Sequence, residues 1–164
     1  MLFVPDFFLG NYVRRATGRD IDVWMGECHV HAAMTPDKMD ERRREFPDAE
    51  FLIHPECGCV TSAMYYAEPD TQIVSTEQMT RRARTSPAQS FVVATETGIL
   101  HRLRRENPDK TFHPLLESAE CRFMKMITLE KLRDSLRDLK HEVRVDAETA
   151  ARARRSIERM LAIG

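Results

Sequence analysis

The sequence predicts an α/β fold in which parallel strands alternate with helices, and three observations carry that prediction. Short, mostly apolar runs recur along the chain, each bounded by Pro, Gly or Asp, as expected of strands buried on both faces of a parallel sheet. The segments between them place apolar residues at helical spacing. The chain also nearly repeats itself: LFVPDFFLGNYVRRATGRDIDVWMGEC runs to Cys28, and FVVATETGILHRLRRENPDKTFHPLLESAEC runs to Cys121. Each copy reads as a strand, a turn with Gly10 or Gly98, a basic helix, a second strand and a loop with one cysteine. Repeated units stack around an axis, so equivalent loops can converge on one point.

The strands are expected at Leu2–Val4, Ile21–Trp24, Glu50–His54, Gln72–Ser75, Phe91–Thr95 and Lys110–Pro114. Helices are expected at Leu9–Thr17, Pro36–Phe46, Thr61–Ala67, Thr76–Arg84 and Gly98–Glu106. Thr35-Pro36 has the form of an N-cap followed by a first-turn proline. Ile127–Leu139 carries Ile127, Leu129, Leu132, Leu136 and Leu139 at helical spacing, and Asp146 opens a last helix with Ile157, Met160 and Leu161 on it. This order implies right-handed crossovers, with ligand sites at the carboxyl ends of the strands. Gly26–His31, His54-Pro55-Glu56, Ser75-Thr76 and Thr95–Gly98 all fall at such ends.

A length of 164 residues with 42% hydrophobic and 31% charged content fits an ordinary globular protein of one domain or two small ones. The formal net charge of −1 provides no global field for nucleic acid or an anionic membrane. The basic runs Arg42–Arg44, Arg81–Arg84 and Arg102–Arg105 sit on helix-like segments with acidic neighbours and read as solvated faces. Apolar runs are too short for a spanning helix, and MLFVPDFFLG, interrupted by Pro5 and Asp6, is no signal peptide, so a cytoplasmic location is expected. Leu2–Val4 reads as a buried strand with no polar leader, which suggests a start inside a larger protein. Four cysteines in such a chain argue for metal or catalysis over disulfides.

Cys28 lies in GECHVH, where its thiolate is a soft metal ligand and His31 shares its face if a helical turn begins at the cysteine. A buried structural cysteine beside a satisfied histidine is the other reading. Cys121 lies in AECRFMKM, ahead of the helix expected at Ile127–Leu139, whose dipole would favour a thiolate there. His54-Pro55-Glu56 ends a buried strand with a histidine and a carboxylate held apart by a rigid proline, either as acid–base groups or as a structural pair. Ser75 and Thr76 form a substrate-binding hydroxyl pair, an N-cap, or both. Cys57 and Cys59 read as small apolar packing groups ahead of metal ligands.

With PDFFLG, VWMGECHVH, HPECGC, IVSTEQM, TETGILHRLRRENPDK and CRFMKMITLEKL in this order, the chain resembles the quinolinate synthase family of bacterial NAD biosynthesis over essentially its whole length. The resemblance implies three-layer α/β/α units with short parallel sheets, repeated around a pseudo-threefold axis. Each unit gives one cysteine to a [4Fe–4S] cluster and leaves one iron open to substrate. Residues 1–27 then correspond to the remnant of the middle unit, 28–121 to the complete last unit and 122–164 to a C-terminal helical segment, with the first unit missing. Cys28 and Cys121 match the second and third cluster ligands, His31 a histidine of the cavity, His54-Pro55-Glu56 the iminosuccinate-binding tripeptide and Thr76 a later binding threonine.

The substrates implied are iminoaspartate (iminosuccinate) and dihydroxyacetone phosphate, and neither nucleic acid nor membrane is an expected partner. Glu56, with His54 and His31, is the expected proton-transfer group, and Ser75 and Thr76 the anion-holding one. The family's first cysteine ligand and part of its substrate site lie upstream of PDFFLG. A partner chain or self-association would therefore have to supply them, and this chain is expected to be incomplete alone. Two other readings of the residues are a non-catalytic zinc-binding module using Cys28, His31, Cys57 and Cys59, and an α/β fragment that binds no metal.

Overall fold

The structure is a computed structural model that describes residues 1–60, 63–64 and 70–163. It divides into two compact units, Met1–Cys121 and Arg122–Gly164.

The first unit opens with β1 (Leu2–Phe3), α1 (Phe7–Thr17) and β2 (Asp22–Val23), and the two strands pair in parallel. Helix α1 begins two residues earlier than the apolar pattern implied, because the Asp6 carboxylate caps it by accepting from the Leu9 N–H at 2.8 Å. Gly10 is therefore not in a turn, as the repeat suggested, but buried inside α1. A Cβ there would collide with the Val23 side chain and meet the Phe3 ring at 3.0 Å, so glycine lets the helix lie against its own strands. Gly18 ends the helix in the left-handed conformation at φ 65°.

Next come α2 (His29–Ala32), α3 (Pro36–Glu45) and β3 (Glu50–Ile53). The short α2 was foreseen only as a condition on His31; Cys28 is its N-cap residue. The helix expected at Thr61–Ala67 lies, apart from Ala63 and Met64, outside the described residues. Then follow β4 (Thr71–Ile73), α4 (Thr76–Thr85), β5 (Ser90–Ala94), α5 (Ile99–Glu106) and β6 (Thr111–Pro114). Strands and helices agree with expectation to within one or two residues at most ends, where caps and not periodicity set the boundary.

The larger sheet has the order β4-β3-β5-β6, and every pair in it is parallel. Alternation along the strands sends Phe51, Ile53, Val92 and Ala94 to one face, where they pack with Val30 of α2, Met34 after it and Met39 of α3. Leu52, Phe91 and Val93 go to the other face, against Met79 and Ala83 of α4 and Leu100 and Leu103 of α5. Helices thus cover both faces, giving the three-layer α/β/α arrangement that the resemblance implied. Each large fully buried side chain contributes about 1.5–3 kcal/mol, so Phe51, Leu52, Phe91 and Leu103 anchor these layers.

The chain leaves β3 toward β4 on one side and then returns to add β5 on the other. The strand order therefore reverses between β3 and β5, and their carboxyl ends flank the crevice in which α/β sheets bind ligands. Around the smaller sheet, Leu2, Val4, Trp24 and Met25 are each more than half exposed.

The second unit holds a short 3-10 turn at Met124–Met126, then α6 (Leu129–Asp138) and α7 (Ala147–Ile163). Thr128 caps α6 by accepting from the Lys131 N–H. The helix thus starts two residues later than the Ile127 expected from the apolar pattern. Leu129, Leu132 and Leu136 are at least half exposed on α6, and Ile157, Met160 and Leu161 on α7. No helix among the described residues is long and apolar enough to cross a membrane.

Candidate functional site

Residues from three segments meet at the carboxyl end of β3. One ligand atom each from Cys28, His31 and Glu56 lies within 4.8 Å of the other two. His31 reaches the group because α2 starts directly after Cys28 and turns the ring back toward β3. Its Nδ1 stands 3.0 Å from the Glu56 Oε2, and its Nε2 stands 2.9 Å from the Thr95 hydroxyl. A carboxylate only accepts, so the network assigns the His31 proton to Nδ1, and the Thr95 hydroxyl donates to the bare Nε2.

The His54 ring stacks on His31 with centroids 4.4 Å apart and planes 7° from parallel. The backbone N–H of Glu56 donates to the His54 Nδ1 at 3.3 Å, which leaves the His54 proton on Nε2. Pro55, whose ring restricts φ, holds His54 and Glu56 in this relation.

Both rings are held neutral. Burial lowers the affinity of His31 for a proton, and the Glu56 carboxylate offsets only part of that cost. Burial, with repulsion from His31 second, pushes the pKa of His54 down to about 4 from an ordinary 6.5. In the unfolded chain His54 takes up a proton below pH 6.5, whereas the folded protein resists it until about pH 4. Its neutrality costs nothing above pH 6.5, and stability falls as pH drops from there toward 4. With allowance for the solvent that still reaches the ring, the loss is about 1–2 kcal/mol. Thermal unfolding of the metal-free chain between about pH 7 and pH 5 should show this decline, and His54→Gln should flatten it. An equal slope in the variant would contradict the assignment.

The cysteines divide into two kinds. Cys28 and Cys121 are free and partly buried, and both pack against the same apolar cluster. Cys57 and Cys59 are fully buried and joined to each other by a disulfide. They pack in the core as expected, but the bond itself was not expected, and it removes both thiolates from the tetrahedral zinc set proposed with Cys28 and His31. The remaining donors are compatible with a metal cofactor: Cys28, His31 and Glu56 at one place, and two free thiols in all. Soft thiolates suit zinc, copper(I) and iron–sulfur centres alike.

Ser75 caps α4 and stands apart from this bonding network. Its hydroxyl accepts from the Gln78 N–H at 3.4 Å, and its own N–H donates to the Gln78 side chain at 2.9 Å, a full capping box worth about 1 kcal/mol. Thr76, the first residue of α4, is exposed beside it. Thr95, noted at a strand end but given no role from the sequence, joins this group through His31. Its signal was its place at the end of β5, next to β3 across the point where the strand order reverses. The grooves beside Phe7 and Tyr12 and beside His101 and Arg104 do not include the His31 group.

A model of the family described as Quinolinate synthetase A protein matches residues 1–162. The chain is 52% identical over 162 residues to a quinolinate synthase of Thermus thermophilus, covering 99% of this chain and 52% of that protein. It is 47% identical over 171 residues to the quinolinate synthase of Mycobacterium tuberculosis, covering 100% of this chain and 49% of that protein. Against the quinolinate synthase of Pyrobaculum aerophilum it is 45% identical over 163 residues, with 98% and 53% covered. The chain spans about half the length of the curated relatives it matches.

Proposed function

Because this chain belongs to the quinolinate synthetase A protein family, we propose that it forms part of a quinolinate synthase that acts in NAD biosynthesis. The proposed reaction joins iminoaspartate to dihydroxyacetone phosphate and releases quinolinate, one phosphate and two waters. The observation that carries the reading is the convergence of Cys28, His31 and Glu56, with His54 stacked alongside, at the end of a central parallel strand. Cys28 and Cys121 are the residues proposed to hold a [4Fe–4S] cluster, with a third cysteine from the remaining half of the family's length. When bound, such a cluster with one open iron supplies Lewis acidity toward a substrate oxygen or nitrogen.

The chain's own residues supply the proton chemistry. Glu56 is the proposed base: one carboxylate oxygen is steadied by the His31 Nδ1–H at 3.0 Å, and the other is offered to a proton on substrate carbon or nitrogen. His31, kept neutral and fixed at both ring nitrogens, orients that carboxylate. His54, with its proton on Nε2, donates a hydrogen bond to a substrate carboxylate or carbonyl oxygen and stays neutral in doing so. Ser75 and Thr76, at the N-terminus of the ten-residue α4, are proposed to hold phosphate or carboxylate oxygens. Each elimination of water is slow in solution because hydroxide leaves poorly, so paired acid and base groups around the substrate are what the chemistry requires.

The test uses a completed protein, in which this chain follows the N-terminal half of the Thermus thermophilus relative. Purified without oxygen, it should be brown, contain iron and sulfide, and form quinolinate from the two substrates. A colourless protein that retains zinc at Cys28, His31 and Glu56 and forms no quinolinate would overturn the reading.

A further inference from the structure

Two carboxylates do the same job in the two halves of the repeat, and the charge of one of them, Asp6, also acts on the His31 and His54 rings. Asp6 follows β1 and is 3% exposed; its Oδ1 accepts from the Leu9 N–H in the first turn of α1, and its Oδ2 accepts from the N–H of Cys28 itself at 3.2 Å. Glu96 follows β5; its Oε2 accepts from the Gly98 N–H at 2.7 Å where α5 begins, and its Oε1 accepts from the N–H of Cys121 at 3.4 Å. The main chain repeats the pattern. The residue after each carboxylate, Phe7 or Thr97, donates its N–H to the carbonyl two residues before the cysteine, Gly26 at 2.7 Å or Ala119 at 2.8 Å.

Each cysteine loop is thus tied at two points to the strand–helix junction of its own β-α-β unit. The two residues differ by one methylene and compensate by reaching different turns of the helix start, i+3 for Asp6 and i+2 for Glu96. A shared hydrogen-bond pattern built from non-identical side chains points to a requirement on the loop and not on the residue.

We propose that Asp6 and Glu96 are equivalent positioning residues that set the backbone of the two ligand cysteines, Cys28 and Cys121, for cluster binding; this rests on the ligand reading given above. At 3.2 and 3.4 Å the carboxylate bonds are long, so each acts together with the short main-chain bond beside it to restrict the cysteine backbone and the positions its sulfur can take. Asp6 has a second consequence. Its buried carboxylate beside Cys28 adds negative charge to the surroundings of a bound cluster, and added negative charge lowers a cluster's reduction potential.

Asp6→Asn and Glu96→Gln keep size but leave one accepting oxygen for two N–H donors, and the longer bond, the one from the cysteine N–H, is the one given up. In this chain, amide hydrogen exchange should quicken about ten-fold or more at Cys28 in the first variant and at Cys121 in the second, each without the other. In the completed protein, both variants should lose iron to air faster than the parent. Asp6→Asn should raise the reduction potential, whereas Asp6→Glu, which keeps the charge and both acceptors, should return it toward the parent value. Faster exchange with parental iron retention and potential would overturn the positioning role and leave only a structural tie. Full iron content in Cys28→Ser or Cys121→Ser would overturn the ligand reading, and the proposal with it, so the two failures are distinct.

Discussion

Replacing Glu56 by Gln in the completed protein should lower turnover about 100- to 10,000-fold while leaving the cluster's absorbance intact. Gln matches Glu in shape and still offers an oxygen to the His31 Nδ1–H, so the stack of His31 and His54 should survive. What it lacks is a group that can take and return a proton at working pH. Removal of a base that acts only in the transition state lowers kcat and kcat/KM together. Near-normal turnover in Glu56→Gln would remove Glu56 from proton transfer and leave it a structural partner of His31.

The succession of elements was legible because parallel strands buried on both faces are written as continuous apolar runs, such as FLI before His54 and FVVA before Thr95. Their lateral order was not legible. Nothing in those runs states that β5 lies beside β3 and not beside β4, yet that pairing puts Thr95 next to His31. The candidate residues Cys28, His31, His54 and Glu56 were each visible at a strand or turn boundary, and the structure brings them together. Asp6 was hidden because an aspartate after Val4-Pro5 reads equally well as a turn residue, and only the fold shows that its second oxygen reaches Cys28. The Cys57–Cys59 bond ran against an argument from composition, which weighs cysteine use over a whole chain and does not address two neighbours in one tight turn. The late start of α6 reflects the Thr128 cap, which outweighs an apolar pattern already begun at Ile127.

The second large effect concerns this chain without the rest of the family's length. It carries two free cysteines, on loops held alike by Asp6 and Glu96, and its other two cysteines are bonded to each other in the core. Two thiolates leave a [4Fe–4S] cluster short of the three protein ligands that the proposed site requires. By itself the chain should therefore bind no stable cluster and form no quinolinate. Leu2, Val4, Trp24 and Met25, exposed around the smaller sheet, should favour its self-association. Size-exclusion chromatography at rising concentration checks that last point, with a constant monomer as the opposing result.

Anaerobic reconstitution with iron and sulfide, followed by analysis of both elements per chain, tests the central claim most directly. The completed protein should take up one [4Fe–4S] cluster and lose it on Cys28→Ser or Cys121→Ser, while this chain alone should retain almost none. One stable cluster per monomer on the chain alone, with quinolinate formed, would contradict the account.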